Sequence, residues 1–247
     1  MSSHHPQARN QLSAVVLAGG LGTRLRSEYA SGPKSMAPVA GRPFLDYTLD
    51  WLCRSKVSDL VLCVGYMGSP IAERYGDGAD WGLRVRYSPE ETPLGTAGAL
   101  KRAERMIEHD TFVVLNGDSM FDTNLGALLE FHQEHLAIAT LALAQSPPGA
   151  RYGSVVIGNH GEIKAFAEKS TAAEAPAECW ISGGIYIFSR RVLGLIPADQ
   201  SCSLEKEIFP TLIGSRFFGM PCAGYFIDIG VPEDYRRAQT ELPRLFA

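Results

Sequence analysis

The chain has 247 residues, of which 45% are hydrophobic and 20% charged, and its formal net charge is −4. A chain of that length and apolar content buries a substantial core in one large α/β unit, which excludes a disordered or small stapled protein. The acidic balance argues against nucleic acid as the main partner, and no apolar run approaches the ~20 residues that a bilayer span needs, so no membrane partner is expected.

In chain order, residues 1–11 are polar, carry His4-His5 and lack an apolar signal region, so they read as a flexible tail. Apolar runs at 14–18, 60–64, 83–87, 112–115 and 138–144 read as strands, with helical patterns at 44–54, 69–75, 97–107 and 125–135 between them. This alternation predicts an α/β fold with a mostly parallel sheet between helices, and ligands bind beyond the carboxyl ends of such strands. From 146 to 182 the rhythm changes to short β-like pieces at 155–157 and 163–166, which read as an insertion. The chain returns to the sheet at 184–188, and helical segments at 204–212 and 233–242 close it. Cys53, Cys63, Cys179, Cys202 and Cys222 are odd in number, widely spread and form no C-x-x-C pair. They read as reduced packing thiols in a cytoplasmic protein.

The first run ends in Leu17-Ala18-Gly19-Gly20-Leu21-Gly22-Thr23-Arg24-Leu25, and Pro33-Lys34 follows a short loop later. Glycines bare the backbone there, so its N–H groups can approach an anion, while Arg24 and Lys34 bring countercharge. Such an assembly suits a nucleoside triphosphate. A dinucleotide-binding turn needs a third glycine where this chain has Leu25, and a P-loop needs a terminal Gly-Lys-Ser/Thr that is absent. A glycine turn without a ligand is the remaining alternative. Asp118 follows the run 112–115 through Asn116-Gly117, and Asp228 is embedded in Phe226-Ile227-Asp228-Ile229-Gly230. A lone carboxylate in an apolar run is costly unless paired or bound to a cation. Two such carboxylates meeting triphosphate oxygens would hold Mg²⁺, which prefers oxygen ligands. Singly, Asp118 also reads as a helix cap and Asp228 as a turn residue.

The glycine loop with its arginine and the later Pro-Lys resembles the signature of the sugar-phosphate nucleotidyltransferases, and the resemblance extends over residues 12–242. It implies a glycosyltransferase-A-like, Rossmann-like mixed sheet with a small β-rich sugar-binding insertion. It also implies one domain over 12–247, with 12–145 mainly nucleotide-binding and 146–247 mainly sugar-phosphate-binding. In that family Arg24 and Lys34 act on the phosphates, Asp118 and Asp228 hold the metal, and the nucleotide is met by Leu17, Ala18, Gly19, Gly20, Gly22, Thr23, Asn116 and Gly117. Pro93-Leu94-Gly95-Thr96-Ala97-Gly98 lies against the base, so Gly95 and Thr96 belong to the nucleotide site. Glu90 takes the place of the residue that reads the base edge, and its two oxygens match the two donors of guanine. A solvated Glu90-Glu91 pair is the plainer alternative.

The sugar-phosphate site implied by the resemblance comprises Tyr152, Gly153, Glu168, Lys169, Ser182, Gly183 and Gly184, with the glycines leaving room for the ring. Ser182 stands where many members have asparagine, and Lys169 taken alone is an ordinary surface lysine. The resemblance is most marked for the D-glycero-α-D-manno-heptose 1-phosphate guanylyltransferases, which serve bacterial surface polysaccharide synthesis. It carries Arg151-Tyr152-Gly153, Gly183-Gly184-Ile185-Tyr186, Ser203-Leu204-Glu205-Lys206-Glu207 and the stretch from Phe226 to Tyr235. The implied substrates are GTP and a sugar 1-phosphate, with Mg²⁺ as cofactor and oligomeric state left open. Mannose 1-phosphate guanylyltransferases, uridylyl- and thymidylyltransferases, and a non-catalytic nucleotide-sugar sensor are the alternatives.

Overall fold

In a computed structural model, which describes residues 12–20, 22–30, 32–65, 67–146, 153–167 and 179–246, the apolar runs line both faces of one sheet. Along β1 (Leu12–Leu17), Ala14 and Val16 enter one core while Val15 enters the other. The same alternation runs along β4 (Val57–Val64) and β6 (Thr111–Asn116). Successive side chains of a strand point to opposite faces, so a continuous apolar run is what a strand covered on both sides requires.

Between β1 and β4 lie two short strands, β2 (Pro38–Val39) and β3 (Arg42–Pro43), and helix α1 (Phe44–Arg54). Helix α2 (Ser69–Tyr75), strand β5 (Arg84–Pro89) and helix α3 (Gly95–Arg102) lead to β6. Strand β7 (Ser119–Phe121), helix α4 (Leu125–Glu134) and strand β8 (Ala139–Gln145) follow. Strands β9 (Ser154–Ile157), β10 (Ile163–Ala167) and β11 (Trp180–Ser189) come next. The chain then runs through α5 (Phe209–Leu212), β12 (Phe217–Pro221), β13 (Phe226–Asp228) and α6 (Pro232–Leu245).

The main sheet has the order β10-β9-β11-β6-β1-β4-β5, and β8 pairs both β11 and β12. It is parallel through β5-β4-β1-β6 and reverses at β11, which runs antiparallel to β6 and β8. The carboxyl ends of β1, β4 and β6 therefore open on one rim, as the alternation predicts. The 97–107 pattern divides into α3 and a separate 3₁₀ turn at Glu104–Met106. The 204–212 pattern opens as a π-helical turn, Leu204–Ile208, before α5. Five short strands, β2, β3, β7, β12 and β13, were not expected from the sequence. Among the described residues no helix is long and apolar enough to cross a membrane.

Candidate active site

At the rim, the glycine turn ties the ends of three strands together. The Ala18 amide donates to the Cys63 carbonyl (2.8 Å) and the Gly117 amide to the Leu17 carbonyl (3.0 Å). A Cβ at Gly19 would stand 2.8 Å from Glu90 Oε1 and 3.2 Å from the Gly65 nitrogen, and one at Gly117 would stand 2.7 Å from the Leu17 oxygen. These two glycines permit close backbone approach. Gly20 is different: no atom lies within 4 Å of its absent Cβ, so its backbone borders open space. Gly19, Gly20 and Ala18 line a small cleft with Gly32, Pro33, Gly65 and Met67. Gly22 has φ 57°, a left-handed conformation that favours glycine, and Thr23 and Arg24 follow in a 3₁₀ turn. Arg24 is exposed and has no ion pair among the described residues, whereas Leu25 is buried and anchors the turn.

Lys34 departs from expectation. A loop cation of the free protein should be exposed, yet Lys34 is 6% exposed. Its Nζ donates to Asp118 Oδ2 at 2.7 Å and to Asp228 Oδ1 at 3.4 Å. The two aspartates meet because β13 pairs antiparallel with β7, setting Asp228 opposite Ser119, and because the Ile229 amide donates to the Asp118 carbonyl. The helix-cap reading does not hold for Asp118, since a strand rather than a helix follows it, whereas Asp228 does stand at a turn. The Gly230 amide donates to Asp228 Oδ1 at 2.6 Å. Burial first, and then the Asp118 charge, push the Asp228 carboxyl above its ordinary range, while Lys34 opposes them.

Glu90 is buried, not a solvated loop residue, and lies against Gly19. Its Oε2 accepts from the Leu94 amide at 2.9 Å, so one of the two oxygens expected to read a base already holds the turn before α3. Burial raises its pKa, against the Leu94 amide and the Arg102 charge. Thr96 is spent elsewhere: its hydroxyl donates to Glu205 Oε2 (2.9 Å) and accepts from the Leu204 amide (2.8 Å). Gly95 has φ 70° and its Cβ position is blocked by the Cys202 carbonyl at 2.5 Å. Both residues dock α3 on the segment 202–205.

In the sugar-side group, Gly183 leaves no open space for a ring. Its Cβ would meet the Phe121 ring at 2.3 Å, so the space it leaves is filled by protein. Gly184 (φ 73°) lies in the register shift of β11 against Ser119 and Asn116, and it too leaves no room for a ring. Asn116 Nδ2 donates to the Tyr186 hydroxyl (3.3 Å), as does Ser182 Oγ (3.4 Å), while the buried Asn116 Oδ1 has no partner among the described residues. Gly153 is exposed at the start of β9. Tyr152, Glu168 and Lys169 lie outside the described residues, as does Leu21. Gly65, Gly230 and Tyr186 were not singled out as site residues. Gly65 and Gly230 carry the signal of a glycine ending an apolar run, and Tyr186 falls within the stretch Gly183-Gly184-Ile185-Tyr186 of the family resemblance.

The nucleotidyl transferase family profile matches residues 13–244. The chain belongs to the nucleotidyl transferase family. This nucleotidyl transferase is 36% identical over 240 residues to a mannose-1-phosphate guanylyltransferase of Mycobacterium tuberculosis, covering 96% of this chain and 66% of that protein. It is 36% identical over 232 residues to a D-glycero-alpha-D-manno-heptose 1-phosphate guanylyltransferase of Aneurinibacillus thermoaerophilus, covering 94% of this chain and 98% of that one. Its structure is similar to HddC from Yersinia pseudotuberculosis complexed with GMP-PN. That match has a TM-score of 0.83 and 30% identity, and covers 96% of this chain and 100% of HddC. The transferase spans just under two thirds of the mannose relative, and nearly all of the heptose relative.

Proposed function

We propose that this nucleotidyltransferase transfers GMP from GTP to D-glycero-α-D-manno-heptose 1-phosphate, giving GDP-heptose and pyrophosphate. The end-to-end correspondence carries the reading: the heptose relative is matched over 98% of its length at the same 36% identity as the mannose relative, of which 66% is matched. HddC, matched over its whole length, is in complex with GMP-PN. A GTP-consuming enzyme works where GTP is held, so the cytoplasm is the proposed compartment.

The chemistry asks for placement more than for proton transfer. A sugar phosphate oxygen is already an anion, so no general base is required for in-line attack on the α-phosphorus. The transition state needs its spread negative charge met by fixed cations. Arg24, exposed beside the glycine turn, would meet the β- and γ-phosphates, and Lys34 the α-phosphate. Asp118 and Asp228 fit Mg²⁺. They already converge on one cation, and the described residues contain no group of three or more metal-ligating side chains, so phosphate and water would complete the shell. When bound, Mg²⁺ neutralises charge on the reacting phosphates.

Pyrophosphate release from each of four nucleoside triphosphates with several sugar 1-phosphates tests the reading. GTP with the heptose 1-phosphate should give the highest kcat/KM. A site that hydrogen-bonds the extra hydroxyl discriminates against mannose 1-phosphate more strongly than loss of a methylene would. Equal or better use of mannose 1-phosphate would move the assignment to the second reading, a mannose 1-phosphate guanylyltransferase, which the Mycobacterium relative supports. No turnover with any pair would point to a non-catalytic sensor.

A further inference from the structure

We propose that Lys34 is a built-in counter-ion that keeps the Asp118–Asp228 pair closed to a divalent cation until an incoming triphosphate draws the lysine away. This rests on the reading of the two aspartates as metal ligands and concerns what fills their shared position beforehand. Two carboxylates brought together by one short ladder repel each other unless a cation lies between them. Lys34 Nζ supplies it, 2.7 Å from Asp118 Oδ2 and 3.4 Å from Asp228 Oδ1. The lysine side chain is 7% exposed while those of Asp118 and Asp228 are 39% and 23% exposed, so the carboxylates keep contact with solvent and the ammonium does not. Mg²⁺ needs these oxygens at about 2.0–2.1 Å. It cannot share Asp118 Oδ2 with an ammonium already at hydrogen-bond distance without bringing like charges together.

The lysine's seat is shaped at both ends by glycine. A Cβ at Gly230 would stand 2.7 Å from Lys34 Nζ, and one at Gly22 would stand 3.1 Å from Lys34 Cβ. Gly22 belongs to the same turn whose backbone borders the open space at Gly20. A triphosphate seated on that turn brings its negative charge to the lysine stem, and a partner swap follows. The phosphate takes the ammonium, and the freed carboxylates take the divalent cation. The consequence is an order of assembly: without nucleotide the protein binds a divalent cation weakly, and with nucleotide it binds one well.

Mn²⁺ serves as the probe, with the free aquo ion measured by electron paramagnetic resonance in nucleotide-free protein. Lys34→Met should bind Mn²⁺ at least about ten-fold more tightly than the wild type, and adding Asp228→Asn should abolish the gain. The same variant should melt below the wild type in chelator and recover when Mn²⁺ is added, because the ion replaces the missing ammonium. A non-hydrolysable GTP analogue should tighten Mn²⁺ binding in the wild type far more than in Lys34→Met. Lys34→Gln gives the same comparison if the methionine variant does not fold. Equal Mn²⁺ affinity in wild type and variant without nucleotide would overturn the proposal. Failure of the GTP analogue to bind would overturn the guanylyltransferase reading and leave the nucleotide-free comparison standing.

Discussion

Glu90 concentrates the specificity question in one carboxylate. Burial raises its pKa, the Leu94 amide holds Oε2, and Oε1 lies against Gly19 beside the cleft. A guanine edge offers two donors, so the ionised group can accept from both while it keeps Leu94 only by sharing lone pairs. Glu90→Gln places an amide donor where an acceptor is needed. The kcat/KM for GTP should fall by about ten-fold or more, with UTP affected less. Unchanged base preference in competition assays would move the readout to another residue. Protonation removes an acceptor, and the raised pKa places that loss at higher pH than for an exposed glutamate. The preference for GTP should therefore fade early on acidification. The sequence gives Glu90 by its distance from Gly95, yet not its contact with Gly19. Gly95 and Thr96 look equally suited to a nucleotide, but their partners lie at Cys202, Leu204 and Glu205, more than a hundred residues away.

Among the elements, long periodic segments were legible and short pairings were not. Helices α1 and α2 match their apolar patterns because each has a full turn or more of periodic burial. The ladder of β7 and β13 spans three residues on each strand, too few to show a period, and it is this ladder that sets Asp228 beside Asp118. The bulge in β11 is equally silent in sequence, which is why Gly183 and Gly184 read as space for a sugar rather than for Phe121, Asn116 and Ser119. The packing of α4 on β8 carries a testable pH response. His132 is 3% exposed, its Nδ1 lies 2.9 Å from the Thr140 hydroxyl, and burial pushes its pKa down from 6.5 to about 4. The unfolded chain therefore binds the proton more readily than the folded one. Stability from this group is present above the unfolded pKa near 6.5 and is lost as pH falls toward 4. Between pH 7 and pH 5 the loss should be about 2 kcal/mol by denaturant titration, and His132→Gln should remove most of that dependence. An identical slope in the variant would assign the acid sensitivity to other groups.

At the scale of the whole molecule, the last helix holds the loop that carries Lys34. The Tyr235 hydroxyl donates to the Pro38 carbonyl at 2.6 Å, Gln239 Nε2 donates to the same oxygen at 3.0 Å, and the Ala40 amide donates to Gln239 Oε1 at 2.9 Å. Helix α6 follows Asp228 after Ile229, Gly230 and Val231, so one end of the chain both supplies a carboxylate and clamps the segment bearing its lysine partner. The pattern at 233–242 showed that a helix forms there, but a dock onto a backbone carbonyl leaves no residue signature at the far end. Tyr235→Phe combined with Gln239→Leu removes both donors to Pro38 and the acceptor for Ala40. At about 1 kcal/mol for each hydrogen bond, stability should fall by roughly 2–3 kcal/mol. If the clamp also fixes the backbone from which Lys34 reaches the phosphate, kcat should drop by about ten-fold with KM for GTP little changed, since placement in the transition state is lost rather than ground-state binding. Steady-state kinetics well below the melting temperature separate the two effects. A lower melting temperature with unaltered kcat would make α6 a structural strut alone.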